Sequence, residues 1–329
     1  MVNLDPKIVE FLVKSKLSDY YVSPLAGDAS DRQYYRLILG SHSLILMDSS
    51  KTIESLNSFL TVGEYLSKQQ FSVPEVFQAD IGNGYLILED LSDFTLNTYF
   101  LKTPNSLSDI YHCTVDLVTS LITLQDPPLP EFDTKFFLYE LSAFTTWYML
   151  YIGKVLSDQS LTDFIASWDK PLEYLSTNDK NNVFVHKDLH CGNLFWLPKR
   201  SGVRKLGIID FQSAKSGSIV YDITSLLYDC RFPLPQSLQS NLSNQYLTAI
   251  GFNAKIFKDL CDIYIAQRNI KILGNFTYVS QHKGNPLYLE YLPSVWKLVT
   301  QSLNNPILKD VKAWFLKNNI NPEINFTNQ

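Results

Sequence analysis

What most constrains this chain is a change of character near residue 92. Before it, the sequence is written in short runs. Tyr20–Ala26, Tyr34–Leu39 and Ser43–Met47 come first, and Glu75–Ala79 and Tyr85–Glu89 follow later. Runs of this length, rich in aromatic, β-branched and Leu residues and parted by turn residues, read as strands. Between the third and fourth lies Ile53–Gln69, where Leu56, Phe59, Leu60, Gly63 and Leu66 share one helical face. Gly82-Asn83-Gly84 reads as a hairpin turn. The order β-β-β-α-β-β predicts a small five-stranded antiparallel sheet with one helix.

After Asp93 the spacing turns helical. Ile110, Cys113, Leu117, Leu121 and Leu124 recur at helix intervals, as do Phe137, Leu141, Phe144 and Tyr148. The pattern breaks at Asn178–Asn182. A compact β-type block follows: Val183–His186, Leu194–Leu197 and Lys205–Ile209. Helices resume near Tyr221, punctuated by Pro233, Pro235, Pro286 and Pro293. The expected architecture is α+β in two lobes. A sheet-rich lobe spans 1–92, a mostly helical lobe spans 93–329, and Glu89–Asp93 joins them.

Composition narrows the partners. With 45% apolar and 19% charged residues among 329, the chain is globular rather than disordered. A net charge of −5 argues against a nucleic-acid partner and for a small molecule. Cys113, Cys191, Cys230 and Cys261 are scattered and form no C-x-x-C pair. That disfavours a zinc site or disulfide framework and fits a reducing compartment. No run approaches 18 uncharged apolar residues, and Met1–Lys16 lacks a signal-peptide core. The expectation is a cytoplasmic protein with no membrane partner.

The chemistry is concentrated in His186-Lys187-Asp188-Leu189-His190-Cys191-Gly192-Asn193 and, beyond it, Gly207-Ile208-Ile209-Asp210-Phe211-Gln212. Phosphoryl transfer needs a carboxylate to orient the attacking hydroxyl and accept its proton. It also needs oxygen donors that hold Mg²⁺ against the triphosphate. Asp188 and Asn193 have the spacing of the kinase catalytic loop H-R-D-x-x-x-x-N. Asp210 ends an apolar strand, where a D-F-G-type metal ligand would sit, although Gln212 replaces the Gly. There is no Walker A pattern and no H-E-x-x-H.

With these motifs the sequence resembles the aminoglycoside phosphotransferase and choline kinase branch of the protein-kinase-like fold. The resemblance implies ATP and Mg²⁺ as cofactors, Asp188 as the catalytic base, and Asn193 and Asp210 as metal ligands. Leu25–Arg32 looks like the loop that covers the phosphates, with Gly27, Ser30 and Arg32 near the nucleotide. Leu86–Leu91 looks like the hinge strand, whose backbone near Glu89 and Leu91 would bond the adenine edge. Asp222 is either a brace for the catalytic loop or simply an acid placed well against a helix dipole. His186 would hold the loop by hydrogen bonds, and His190 has an open role near the phosphate.

Two positions depart from the family. Its third-strand Lys is replaced by Met47, and the partner acid on the following helix by Phe59. Arg32 or Arg36 would then have to meet the phosphates, and a nucleotide-binding pseudokinase becomes an alternative.

Further motifs are similar to the bacterial anomeric N-acetylmuramate/N-acetylglucosamine kinases of cell-wall recycling. They are Leu25–Arg36, Val73–Val76, Ile208–Ala214, Gln267–Gly274 and Tyr288-Leu289. That resemblance implies a sugar substrate phosphorylated at C1. Choline, homoserine or an aminoglycoside are the alternative acceptors. Arg268 reads either as a surface charge or as a residue of the substrate cleft.

Overall fold

The computed structural model describes residues 4–25, 31–124, 127–179 and 182–321. Its strands, in chain order, are β1 Tyr21–Pro24, β2 Gln33–Leu39, β3 His42–Asp48, β4 Val76–Asp80, β5 Tyr85–Glu89, β6 Val183–Val185, β7 Leu194–Trp196, β8 Leu206–Ile208 and β9 Lys215–Gly217. The first five form one antiparallel sheet in the order β1-β2-β3-β5-β4. The sheet is the one the sequence implies. Its hairpin turn needs Gly84, which has φ +83° and where a Cβ would lie 2.8 Å from the Ser50 nitrogen.

One helix was not expected from the sequence. Pro6–Lys14 packs Ile8, Phe11 and Leu12 against Leu37, Leu46, Tyr85 and Ile87 of the sheet. The signal was present: Asp5 caps it by accepting from Lys7 N at 2.8 Å, and Pro6 occupies the first turn. The expected helix is Glu54–Lys68, with Leu56, Phe59, Val62 and Leu66 buried.

The chain divides into two compact units. The first is Met1–Asp109 with Cys191–Ser213, and the second is Ile110–His190 with Ala214–Gln329. This differs from a boundary at residue 92, for a physical reason. The β7–β8 hairpin hydrogen-bonds into the sheet-bearing unit. Ile208 N donates to Ser72 O (2.7 Å), Ser72 Oγ to Arg204 O (2.8 Å) and Trp196 N to Phe94 O (3.0 Å).

In the second unit the long helix Ala254–Lys283 is the organising element. Asn253 caps it by accepting from Lys255 N and Ile256 N, and Gly284 ends it at φ +71°. It is buried on most sides rather than on one stripe, as suits a central helix. It packs against Thr134–Ala143 and Leu292–Ser302. At Gly274 a Cβ would fall 2.1 Å from Ala143 O, so only glycine permits this approach. The short strands β6 and β9 pair antiparallel in the same unit. Among the described residues, no helix is long and apolar enough to cross a membrane.

Candidate active site

In the second unit the catalytic-loop motif leaves β6 and is tied down from two sides. Asp222, buried at the start of the helix Tyr221–Leu227, accepts from His186 N (2.6 Å) and Lys187 N (3.1 Å). Burial pushes its carboxyl above the ordinary value, against the pull of His186 and these two N–H groups. His186, fully buried, accepts the Asp188 N–H at Nδ1 (3.3 Å). Lys187 has φ +76°, a left-handed conformation that costs a lysine energy and persists because its neighbours enforce it.

Asp188 is held by Arg268, whose NH2 lies 2.8 Å from Oδ1 and whose NH1 donates to Lys187 O at 2.7 Å. His190 Nε2 is 3.5 Å from Oδ2. The Asp188 side chain still keeps 44% of its surface exposed. Burial would raise its pKa, but His190, Arg268 and, farther off, Arg231 outweigh that and hold it well below the ordinary carboxylate value. Arg231 is itself paired with buried Asp229 at 2.9 Å.

Lys187 reaches a second anchor. Its Nζ lies 2.9 Å from Glu140 Oε1, which Lys271 also meets at 3.1 Å, while Gln267 donates to Oε2 at 3.2 Å. Burial works against the Glu140 charge, yet Lys271 and Lys187 bring its pKa down to about 2.

In the first unit the two expected metal ligands lie just outside the paired ends of the β7–β8 hairpin. Leu194 pairs with Ile208, and Ile209 N donates to Asn193 O (3.1 Å), so Asn193 and Asp210 flank the open end. Asp210 has φ +62°, and Gln212 Nε2 donates to its Oδ1 at 2.6 Å. Gln212 Oε1 is buried without a hydrogen-bond partner. An amide oxygen, a carboxylate and an unsatisfied amide oxygen are all hard donors, which fits Mg²⁺ and not zinc. Among the described residues no cluster of three His, Cys, Asp or Glu could hold a metal. A Mg²⁺ held by one or two side chains plus substrate phosphates needs none.

Met47 is fully buried and pairs with Tyr34 across β2–β3. Phe59 stacks on Phe211, centroids 4.9 Å apart. Arg32, only 4% exposed, comes over the Phe59 ring at 5.7 Å and donates to Ser55 Oγ at 2.8 Å. Burial raises the Tyr34 phenol above its ordinary value, Arg32 opposes this and Asp210 adds to it, so Tyr34 feels both charges. Arg36 is committed elsewhere: its Nε lies 2.7 Å from Asp90 Oδ2, and its NH1 meets Asp93.

Glu89 donates its backbone N–H to Glu75 O (2.8 Å), its carboxylate accepts from Arg200, and Leu91 is buried. Gly27 and Ser30 lie outside the described residues.

The sequence matches the phosphotransferase enzyme family over residues 22–254, well over half the chain. The chain belongs to that family. This phosphotransferase is similar to the N-acetylmuramate/N-acetylglucosamine kinase of Caulobacter vibrioides, at 26% identity over 93% of this chain and 94% of that protein. To the enzyme of the same name from Pseudomonas aeruginosa it is 29% identical, over 88% of this chain and 86% of the other. A choline kinase from Streptococcus pneumoniae superposes with a TM-score of 0.63 at 14% identity, covering 89% of this phosphotransferase and 99% of that chain. An ADP-bound aminoglycoside phosphotransferase gives 0.60 at 14% identity, covering 91% and 99%. These two likenesses establish the kinase-like fold.

Sequence reasoning missed Glu140, and it noted Arg268 and Gln212 without their contacts to the two aspartates. Arg268 and Glu140 sit in helices whose apolar spacing dominates the pattern. The signal for Arg268 was the run Gln267-Arg268-Asn269, three polar residues inside an otherwise apolar stretch, all buried here. Gln212 stands where the motif has glycine, and its bond to Asp210 had no sequence signature.

Proposed function

We propose that this phosphotransferase moves the γ-phosphoryl group of ATP, taken as its Mg²⁺ complex, onto the anomeric hydroxyl of N-acetylmuramate or N-acetylglucosamine. The observation that carries this reading is Asp188. It is an exposed, ionised carboxylate clamped in an H-x-D-x-x-x-x-N loop, in a chain alignable with sugar kinases over most of both lengths. In this reading Asp188 aligns the hydroxyl and takes its proton. Its low basicity suits an anomeric hydroxyl, which is more acidic than an ordinary alcohol. Asp222 and His186 hold the loop that carries it, and His190 Nε2 stands 3.5 Å from its Oδ2.

Asn193 and Asp210 would hold Mg²⁺, which when bound neutralises phosphate charge. Arg32 would take the place of the third-strand Lys toward the phosphates, since Arg36 is spent on Asp90 and Asp93. The backbone at Glu89 and Leu91 would meet the adenine, with Gly27 and Ser30 over the phosphates. Such an enzyme draws on cytoplasmic ATP.

One observation favours a second reading, a nucleotide-binding pseudokinase: Met47 and Phe59 are buried and apolar. Arg32 supports the enzyme reading against it, because a cation stands over the Phe59 ring.

The test is product analysis with ATP, Mg²⁺ and a panel of N-acetylmuramate, N-acetylglucosamine, choline, homoserine and an aminoglycoside. An acid-labile sugar 1-phosphate formed only from the amino sugars is expected. Transfer to choline or the antibiotic alone would overturn the substrate reading, and ATP binding with no transfer would favour the pseudokinase.

A further inference from the structure

The helix Ala254–Lys283 crosses the second unit as a core element, and a buried arginine in such a helix is costly to maintain unless it is fully paired. Arg268 is 5% exposed and spends two nitrogens on two successive residues of the catalytic loop. NH1 donates to the carbonyl of Lys187 (2.7 Å) and NH2 to Oδ1 of Asp188 (2.8 Å). A planar guanidinium that bonds a residue's carboxylate and the preceding carbonyl fixes the side chain relative to its own backbone. The opposite edge of the same loop is bound by Asp222 through the N–H groups of His186 and Lys187. A loop whose Lys187 is already forced to φ +76° is thus clamped on both edges, and of the two clamps the arginine is the one that bonds Oδ1, while His190 Nε2 stands 3.5 Å from Oδ2.

We propose that Arg268 is a positioning residue of phosphoryl transfer: it engages Oδ1 so that the substrate's proton is taken at Oδ2. This rests on the reading of Asp188 as the base. In the step itself the substrate oxygen bonds to the γ-phosphorus. The bond from that phosphorus to the β,γ-bridging oxygen breaks, and its electron pair leaves with ADP. The hydroxyl proton passes to Oδ2 of Asp188. Arg268 touches none of the reacting atoms. A misaligned carboxylate lowers the rate of this step without weakening nucleotide or sugar binding.

The experiment is a double-mutant cycle on the full chain with Arg268→Gln, Arg268→Lys and Asp188→Asn. Arg268→Gln should lower kcat about 10²-fold while the KM for ATP and for sugar change less than about threefold. Arg268→Lys keeps the charge but not the two-point geometry and should recover part of that loss. Added to Asp188→Asn, Arg268→Gln should cost almost nothing further, because its effect runs through Asp188. A purely structural arginine would instead give additive losses and move both KM values. Wild-type turnover in Asp188→Asn would overturn the reading of the base. An inactive Asp188→Asn beside a fully active Arg268→Gln would overturn this proposal alone. If Arg268→Gln does not fold, the cycle runs with Arg268→Lys; failure of that variant to fold as well would make the arginine a residue of the fold and overturn the proposal.

Discussion

Phe211 stacks on Phe59 with ring centroids 4.9 Å apart and planes 26° from parallel. The contact ties the residue after Asp210 to the helix Glu54–Lys68. Gly63 makes room for it, since a Cβ there would stand 3.2 Å from the Phe211 ring. The resemblance to the family implied an ion pair at these two positions; here Phe59 is in an apolar stack and Met47 is fully buried.

Reinstating only one charge should therefore harm the protein. Met47→Lys buries an ammonium with no anion at Phe59 and should lower unfolding free energy by about 3 kcal/mol or more. Denaturant unfolding followed by circular dichroism checks this. A Met47→Lys protein as stable as wild type, with a lower KM for ATP, would mean that the site still accepts the family's lysine.

Arg32 and Arg36 should separate cleanly. Arg32→Gln should raise the KM for ATP by about tenfold or more, as a charge-assisted phosphate contact of roughly 1.5–3 kcal/mol is lost. Arg36→Gln should leave that KM nearly unchanged and lower thermal stability, since its partners are Asp90 and Asp93. Initial-rate kinetics against ATP decide between them.

For the metal, Asp210→Asn removes a charged oxygen donor while keeping size and the neighbouring Gln212. Activity should then need a higher Mg²⁺ concentration, and saturating Mg²⁺ should restore part of the rate. A Mg²⁺ titration of kcat/KM that superposes on wild type would exclude Asp210 as a ligand.

Glu140 supplies a pH signature. Its folded pKa is about 2, below the ordinary 4.5, so the folded state binds this proton less readily than the unfolded state. The stabilisation is complete above the unfolded value and is lost as pH falls from about 4.5 towards 2. It amounts to on the order of 3 kcal/mol. Glu140→Gln should be less stable at neutral pH, with Lys187 and Lys271 left unneutralised, and its stability should fall less steeply over that acid range. Parallel urea titrations at several pH values measure the difference.

These sites differ in how far they could be read from sequence. The five-stranded sheet was legible because each strand is a short run bounded by turn residues, and because Gly82-Asn83-Gly84 admits little but a hairpin. The helix Pro6–Lys14 was not, although Asp5-Pro6 marks its start, because its apolar residues also suit a strand-like reading of a short terminus. Asp188, Asn193 and Asp210 stand out in the sequence because phosphoryl transfer calls for those donor types at such spacing. The residues that set their state were hidden by distance in sequence. Arg268 lies 80 residues beyond Asp188, and Glu140 lies 131 residues before Lys271, so only the folded helices bring them together. The extent of the first unit was hidden for the same reason: the hydrogen bond from Ile208 to Ser72 has no local trace.

The central claim is that Asp188 orients and deprotonates a sugar's anomeric hydroxyl. The most direct measurement is ³¹P NMR of the product formed from ATP, Mg²⁺ and N-acetylmuramate by wild type and by Asp188→Asn. Wild type should build up a sugar 1-phosphate. Asp188→Asn should fold and bind ATP normally but form that product about 10²–10⁴-fold more slowly. Formation of the 1-phosphate at the wild-type rate by Asp188→Asn, or its absence with wild type while ATP is bound, would contradict the account.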